Sequence, residues 1–299
     1  MINLYKINKY LSLIIFFLSL ISLTFLDFKN NSTQTTIICF FLISTIGISH
    51  GSLDHLKGYR VLKLFKVKIK FLFYLLYAFL AFIVIFFWMI MPLITLCIFL
   101  FVASYHFGKE DSQFDKIKKD FFTKFYFLLK GSIVILAPLW ANPEETMNIF
   151  KILDVQLNII NKRIILILIL FSLLSNFFIF KNITISLIDS LTVIILNLTF
   201  SPLVAFTIYF CFLHSTRHTF SLIAELSNKN FMKGFKIFLN KAIPLTLITA
   251  FLFLISIYLL TNYYLLNDSM LKVIFIGLAS LTFPHILLEY IIEKYEKRT

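Results

Sequence analysis

The chain has 299 residues, of which 60% are apolar and 14% charged, with a mean hydropathy of +0.90. Soluble domains run at about 45–50% apolar and about 25% charged residues, so this balance excludes an ordinary soluble fold and points to a chain solvated mostly by lipid. The formal net charge is +13. On a soluble protein it would suggest nucleic acid, but here the Lys and Arg sit in short segments between apolar runs, and no nucleic-acid partner is expected.

A spanning helix takes about 20 mainly apolar residues. In chain order the candidates are 10–26, 36–55, 71–91, 93–106, 121–140, 164–180, 183–200, 203–225, 242–262 and 271–292. Lys6 and Lys9 precede the first run, and no small-residue cleavage site follows it, so it reads as a span and not as a signal peptide. The 93–106 run is short, and only Ser201-Pro202 separates 183–200 from 203–225. No linker and no repeat divides the chain. The expectation is an all-α, polytopic membrane bundle of about 8–10 transmembrane helices, with residues 1–299 as a single integral membrane domain. Cys39, Cys97 and Cys211 lie inside apolar runs, with no CxxC pair, and read as soft packing residues.

Loop charge orients this threading. With the N-terminus inside, and with Lys124 and Lys272 at their span ends counted with the adjoining loops, 21 Lys and Arg fall in inner segments and five in outer ones, while Lys130 and Arg217 fall deeper within spans. That asymmetry follows the positive-inside rule and predicts an N-in/C-in, multi-pass protein of the inner (plasma) membrane.

The six histidines then fall at one depth. His50 and His55 end the second run on its inner side, His106 ends the fourth, His214 and His218 lie in the inner half of the eighth, and His285 lies in the inner half of the tenth. One histidine in a helix is more often a packing residue than a ligand. Six in one layer favour a site, because ionisable groups in a bilayer are costly and neutral imidazole is the commonest metal ligand. His214 and His218 are four apart, which on a helix puts both rings on one face. Gly51 follows His50, where it would let another backbone approach, and Gly108 follows His106 by two.

Carboxylates accompany the rings: Asp54, Glu110, Asp111, Glu225 and Glu289, with Asp189 inside the seventh run. Metal-bound imidazole usually donates its other N–H to such a group. Solvated charge at a helix end is an equal reading for Glu110, Asp111 and Glu289. Asp189 is harder to dismiss in lipid; Arg217 either pairs with it or snorkels to the interface, whereas Lys130 is expected to snorkel. Imidazole ligation suits Zn, Cu, Fe or Ni, and four histidines on an octahedral metal would leave two positions for O2 chemistry at Fe(II). No two-His-one-carboxylate triad, desaturase histidine boxes, catalytic Ser elbow, P-loop or dinucleotide fingerprint is evident. A polyhistidine metal or solute transporter and a haem-binding electron carrier stay open, although no internal repeat supports the former.

Four segments, ISHGSLDH, SYHFGKED, FCFLHSTRHTF and GLASLTFPHILLE, resemble, in order and spacing, the bacterial Brp/Blh-type β-carotene 15,15′-dioxygenases across roughly residues 40–290. The resemblance implies a membrane enzyme that splits the central double bond of β-carotene with O2 into two retinal molecules, often for a microbial rhodopsin apoprotein. It implies Fe(2+) held by a histidine tetrad that corresponds to His50, His106, His214 and His218. Asp54 and Asp111 match acidic positions, and Pro284-His285 matches a PH motif. Asp54, Asp111, Asp189, His285 and Glu289 are then candidates for ligand support or the substrate path. Ser49 stands where the family usually has Pro, and His55 where it commonly has a small residue. A relative that aids rhodopsin biogenesis without making retinal would keep the same motifs.

Overall fold

The computed structural model describes residues 10, 13–18, 20–21, 32–112, 121–158, 160–178, 183–227 and 230–295. Among these residues the chain is helical, with no strand, as the lack of water for backbone groups in lipid requires. We number the α-helices α1 Ser32–Leu42, α2 Asp54–Leu64, α3 Phe71–Ile90, α4 Pro92–Asp111, α5 Phe121–Ala141, α6 Pro143–Ile152, α7 Lys162–Ser175, α8 Ile183–Thr199, α9 Pro202–Ile208, α10 Thr216–Leu226, α11 Phe231–Leu260 and α12 Leu266–Tyr295. A π-helical segment, Ile43–Gly47, and a 3-10 turn, Ile48–Leu53, join α1 to α2; a second π-helical segment, Tyr209–Ser215, joins α9 to α10.

Among the described residues six helices are long and apolar enough to cross a membrane: Thr33–Leu64, α3, α4, α5, α11 and α12. Ile185–Thr199 is a shorter apolar helix. The first predicted run, 10–26, lies largely outside the described residues. Two expectations shift in extent. The 93–106 run belongs to a full 20-residue helix, because Pro92 caps it at N1 and the motif SYHFGKED continues it to Asp111. The 242–262 run starts earlier, at Phe231, with Asn230 capping the backbone N–H of Lys233.

Helix α12 is the hub. It is the most buried of the six candidate spans, and it packs against α1, α2, α3, α4, α6 and α11. By contrast α3 and α11 have only 11% of their apolar window buried, so their Phe and Leu side chains face outward. Helices α4 and α5 pack backbone to backbone: a Cβ on Gly108 would sit 1.8 Å from the Phe127 carbonyl oxygen, and one on Gly131 would sit 1.8 Å from that of Ser104. Such small-residue contacts hold helices together where lipid provides no hydrophobic drive. Gly51 differs from the expectation. A Cβ there would meet only Asp54 and His285 side-chain atoms, at 3.8 and 3.9 Å, so no backbone crowds it.

Candidate metal centre

Two non-α segments carry the histidine motifs. His214 lies in the π-helical turn Tyr209–Ser215, and His50 follows the other π-helical turn by three residues. Ser215 donates to the carbonyl of Gly47 at 2.8 Å, which ties the two turns together. Wide turns of this kind re-aim side chains and recur at functional sites. Here the turn sends His214 towards α4, while His218, one α-helical turn later, meets α12.

His106, His214, His218 and His285 are all buried and converge from α4, the π-turn, α10 and α12. Ring centroids are 5.3 Å apart for His106–His214, 5.2 Å for His106–His285 and 5.6 Å for His218–His285. The paired histidines of HSTRH thus each meet a different third ring. The His50 side chain lies outside the described residues. His55 is not in the cluster: its Nδ1 donates to the Ser52 carbonyl at 3.0 Å, and its ring stacks on Tyr74. That agrees with leaving it out of the candidate ligands.

Three of the rings are held by buried carboxylates. His214 Nδ1 is 3.2 Å from Asp111 Oδ1, His218 Nδ1 is 2.8 Å from Glu110 Oε2, and His285 Nδ1 is 2.9 and 2.8 Å from the two Asp54 oxygens. Each bond makes Nδ1 the donor and leaves the buried Nε2 with the lone pair that a metal takes. The solvated reading of Glu110, Asp111 and Glu289 therefore fails, because all three are buried. Glu225 is exposed on α10 and takes no part. Glu289 pairs with Lys57 at 2.9 Å, and its Oε1 lies 3.8 Å from His285 Nε2.

A further layer fixes the carboxylates. Tyr209 donates to Asp111 at 2.7 Å, and Tyr77 donates to Asp54 at 2.9 Å. Arg217, fully buried, forms a two-pronged pair with Asp189 at 2.8 and 2.8 Å, the first of the two readings left open for it. Lys130 does not snorkel. It is buried, donates to Ser112 at 3.1 Å and sits 3.7 Å from Asp189, because the α4–α5 contact brings it under the cluster instead of to the surface.

The donor set fits a metal. With metal–nitrogen bonds of about 2.1 Å and ring centres about 1.2 Å further on, two imidazoles at about 90–120° have centroids roughly 4.6–5.7 Å apart, and the three observed distances fall in that range. The structure also assembles a grouping that the sequence hides: His106, His285 and Glu289 bring one ligand atom each within 4.8 Å of one another, as do Glu110, His218 and Glu289. The first is two histidines and one carboxylate. His285 and Glu289 are four apart on α12, but His106 lies 179 positions before His285, so the sequence does not show the three together.

A cavity of about 1040 Å³ opens from this cluster between α3, α11 and α12. It is at the upper limit of small-molecule sites, which run to about 1,000 Å³. His106, His214 and His285 line it at one end, Trp88 and Lys272 lie towards the other, and Ala, Phe, Leu and Ile side chains dominate between.

Against known proteins, a family model described as beta-carotene 15,15′-dioxygenase matches residues 41–293. This chain belongs to the β-carotene 15,15′-dioxygenase family. Its members are oxidoreductases, and the match spans every motif that carries the histidine cluster. A curated relative, the beta-carotene 15,15′-dioxygenase of an uncultured marine bacterium (66A03), is 29% identical over 277 residues, covering 86% of this chain and 94% of the relative. No solved structure gives a significant match.

Proposed function

We propose that the protein is a non-haem iron dioxygenase that cleaves the central 15,15′ double bond of β-carotene. The reaction balances as one C40 polyene plus one O2 giving two all-trans-retinal, with both oxygen atoms retained in the products. The observation that carries the reading is a carboxylate-backed histidine cluster opening into a long apolar cavity in a member of this family.

His50, His106, His214 and His218 would hold Fe(II), which supplies the centre at which O2 is activated. Asp111 and Glu110 keep the His214 and His218 rings in the tautomer that presents Nε2. Asp189 and Arg217 neutralise each other beneath Asp111, so that its carboxylate faces His214 and Tyr209 in a dry site. The substrate needs no polar handle. The cavity walls hold the polyene by burial and keep water from it, and the two least buried spans, α3 and α11, flank the cavity, which suits entry from the bilayer.

Cavity length accommodates central cleavage. Lys272 and His285 both line it and are 13 residues apart on α12, so it runs about 20 Å along that helix. From the central bond to the far edge of one ring, β-carotene spans roughly nine extended bonds and a six-membered ring, about 14 Å at about 1.2 Å per bond. One half therefore fits between the cluster and Lys272 with room for the reacting atoms. A multi-pass position in the inner (plasma) membrane would place the enzyme where the carotenoid dissolves, and a rhodopsin apoprotein would be a fitting acceptor for retinal.

Expression in β-carotene-producing cells tests the activity: bleaching with retinal formation is expected, and intact β-carotene beside well-expressed protein would refute it. In purified protein, His214→Ala and His218→Ala should each remove bound iron and retinal formation. Retention of both by either variant would overturn the ligand assignment.

A further inference from the structure

We propose that His285 is a direct ligand of the metal, joining the four histidines named above, and that Asp54 and Tyr77 are the positioning residues that aim it. This rests on the proposed iron site. The inference starts from placement. His285 is the ring that contacts both His106 and His218, at 5.2 and 5.6 Å, so it lies between two proposed ligands and not beyond them. Its orientation repeats theirs. Asp54 grips Nδ1 with both oxygens, as Asp111 grips His214 and Glu110 grips His218, so Nε2 is the nitrogen turned to the cluster. A ring that merely bordered the substrate path would gain nothing from a buried carboxylate, whose desolvation is costly unless it serves a charged or hydrogen-bonded partner.

Local structure explains how the ring is held. Pro284 interrupts the backbone ladder of α12 immediately before His285. Tyr77 reaches this turn from α3: its hydroxyl lies 2.9 Å from Asp54 Oδ2 and 3.2 Å from the Leu281 carbonyl, joining the ring's carboxylate to the turn that carries the ring. His285 also belongs to the two-histidine-one-carboxylate grouping with His106 and Glu289. The second grouping, Glu110 with His218 and Glu289, shares Glu289 with it, so His285 sits in one of the two sets of converging donors and one residue away from the other. An O2-handling centre with a fifth imidazole has one fewer position for exogenous ligands than a tetrad has.

The test uses Co(II) as a spectroscopic probe on the purified full-length protein in detergent, with Fe(II) content measured in parallel. Wild type should bind Co(II) with visible bands. His285→Ala should weaken Co(II) binding by more than the roughly 10–100-fold that loss of an outer partner costs, and should change the bands. Added imidazole should restore both. His285→Gln guards against a cavity-induced collapse and should weaken binding while keeping the thermal midpoint. Asp54→Asn should weaken Co(II) binding by about 10–100-fold with bands close to those of wild type, since the ring remains. If His285→Gln binds Co(II) with wild-type affinity and bands while His214→Ala does not, His285 is no ligand and this inference fails, although the iron site stands. If His214→Ala also keeps wild-type Co(II) binding, the proposed iron site itself falls.

Discussion

The contact between α4 and α5 makes a sharp prediction about Gly108. A methyl group there would lie 1.8 Å from the Phe127 carbonyl oxygen, while unstrained contacts begin at 3.4 Å. The two backbones must part by about 1.6 Å, because a carbonyl in a helical ladder cannot turn aside and a packed interior transmits the strain. His106, Glu110 and Asp111 lie within one turn of Gly108 along α4, so a shift of that helix moves all three. Displacement of reacting groups by about 1 Å can cost about 100-fold in rate, and overpacking costs about 1–3 kcal/mol in stability. Gly108→Ala should therefore lower retinal formation by about 100-fold or more, with a reduced thermal midpoint and reduced metal content. Gly51→Ala is the control. Its Cβ would meet atoms at 3.8 Å or beyond, so it should keep its metal, and its activity should stay within a few-fold of wild type. Assay of purified protein for retinal by chromatography, with metal analysis and a melting curve, reads all three. Wild-type activity and metal in Gly108→Ala, or equal damage in the two variants, would refute the reasoning.

The buried Arg217–Asp189 pair yields a stability prediction. Asp189→Asn leaves Arg217, and Lys130 at 3.7 Å, without their carboxylate in a dry site and should cost about 3–5 kcal/mol, read as a lower thermal midpoint, whereas an apolar double replacement such as Arg217→Met with Asp189→Leu, in which Lys130 keeps the Ser112 hydroxyl, should recover part of it. A double variant no more stable than the single one would count against this pair as the cause. The cavity yields another: Ala81→Trp, one turn beyond Tyr77 on the cavity wall, should block retinal formation while metal content and melting stay as in wild type. Full activity in that variant would show that the substrate lies elsewhere.

The sequence determined which residues matter more than it determined how they meet. Apolar runs and the scarcity of charge required membrane helices, since backbone groups in lipid must be satisfied within the helix. Its motifs identified the family, and the rule that charge in lipid is costly singled out Asp189 and left Arg217 to pair with it or to reach the interface. Charge counting could not show that Lys130 turns inward, because that depends on two glycines letting α4 and α5 touch. Nor could spacing show that His214 and His218 meet different third rings, because those rings, His106 and His285, come from α4 and α12, far away in the chain.

What only the tertiary structure decided is pairing across distance. Asp54 meets His285 across 231 positions, Glu110 meets His218 across 108 and Asp111 meets His214 across 103. Helical periodicity reports neighbours three and four residues apart and is silent on such pairs. They arise because α12 packs at the hub of the bundle and places the His285 ring between His106 and His218. From the sequence, Glu110, Asp111 and Glu289 could as well have been solvated helix-end charges. Burial makes them the groups that orient the rings, because a carboxylate without water must find a donor, and the imidazole N–H supplies it.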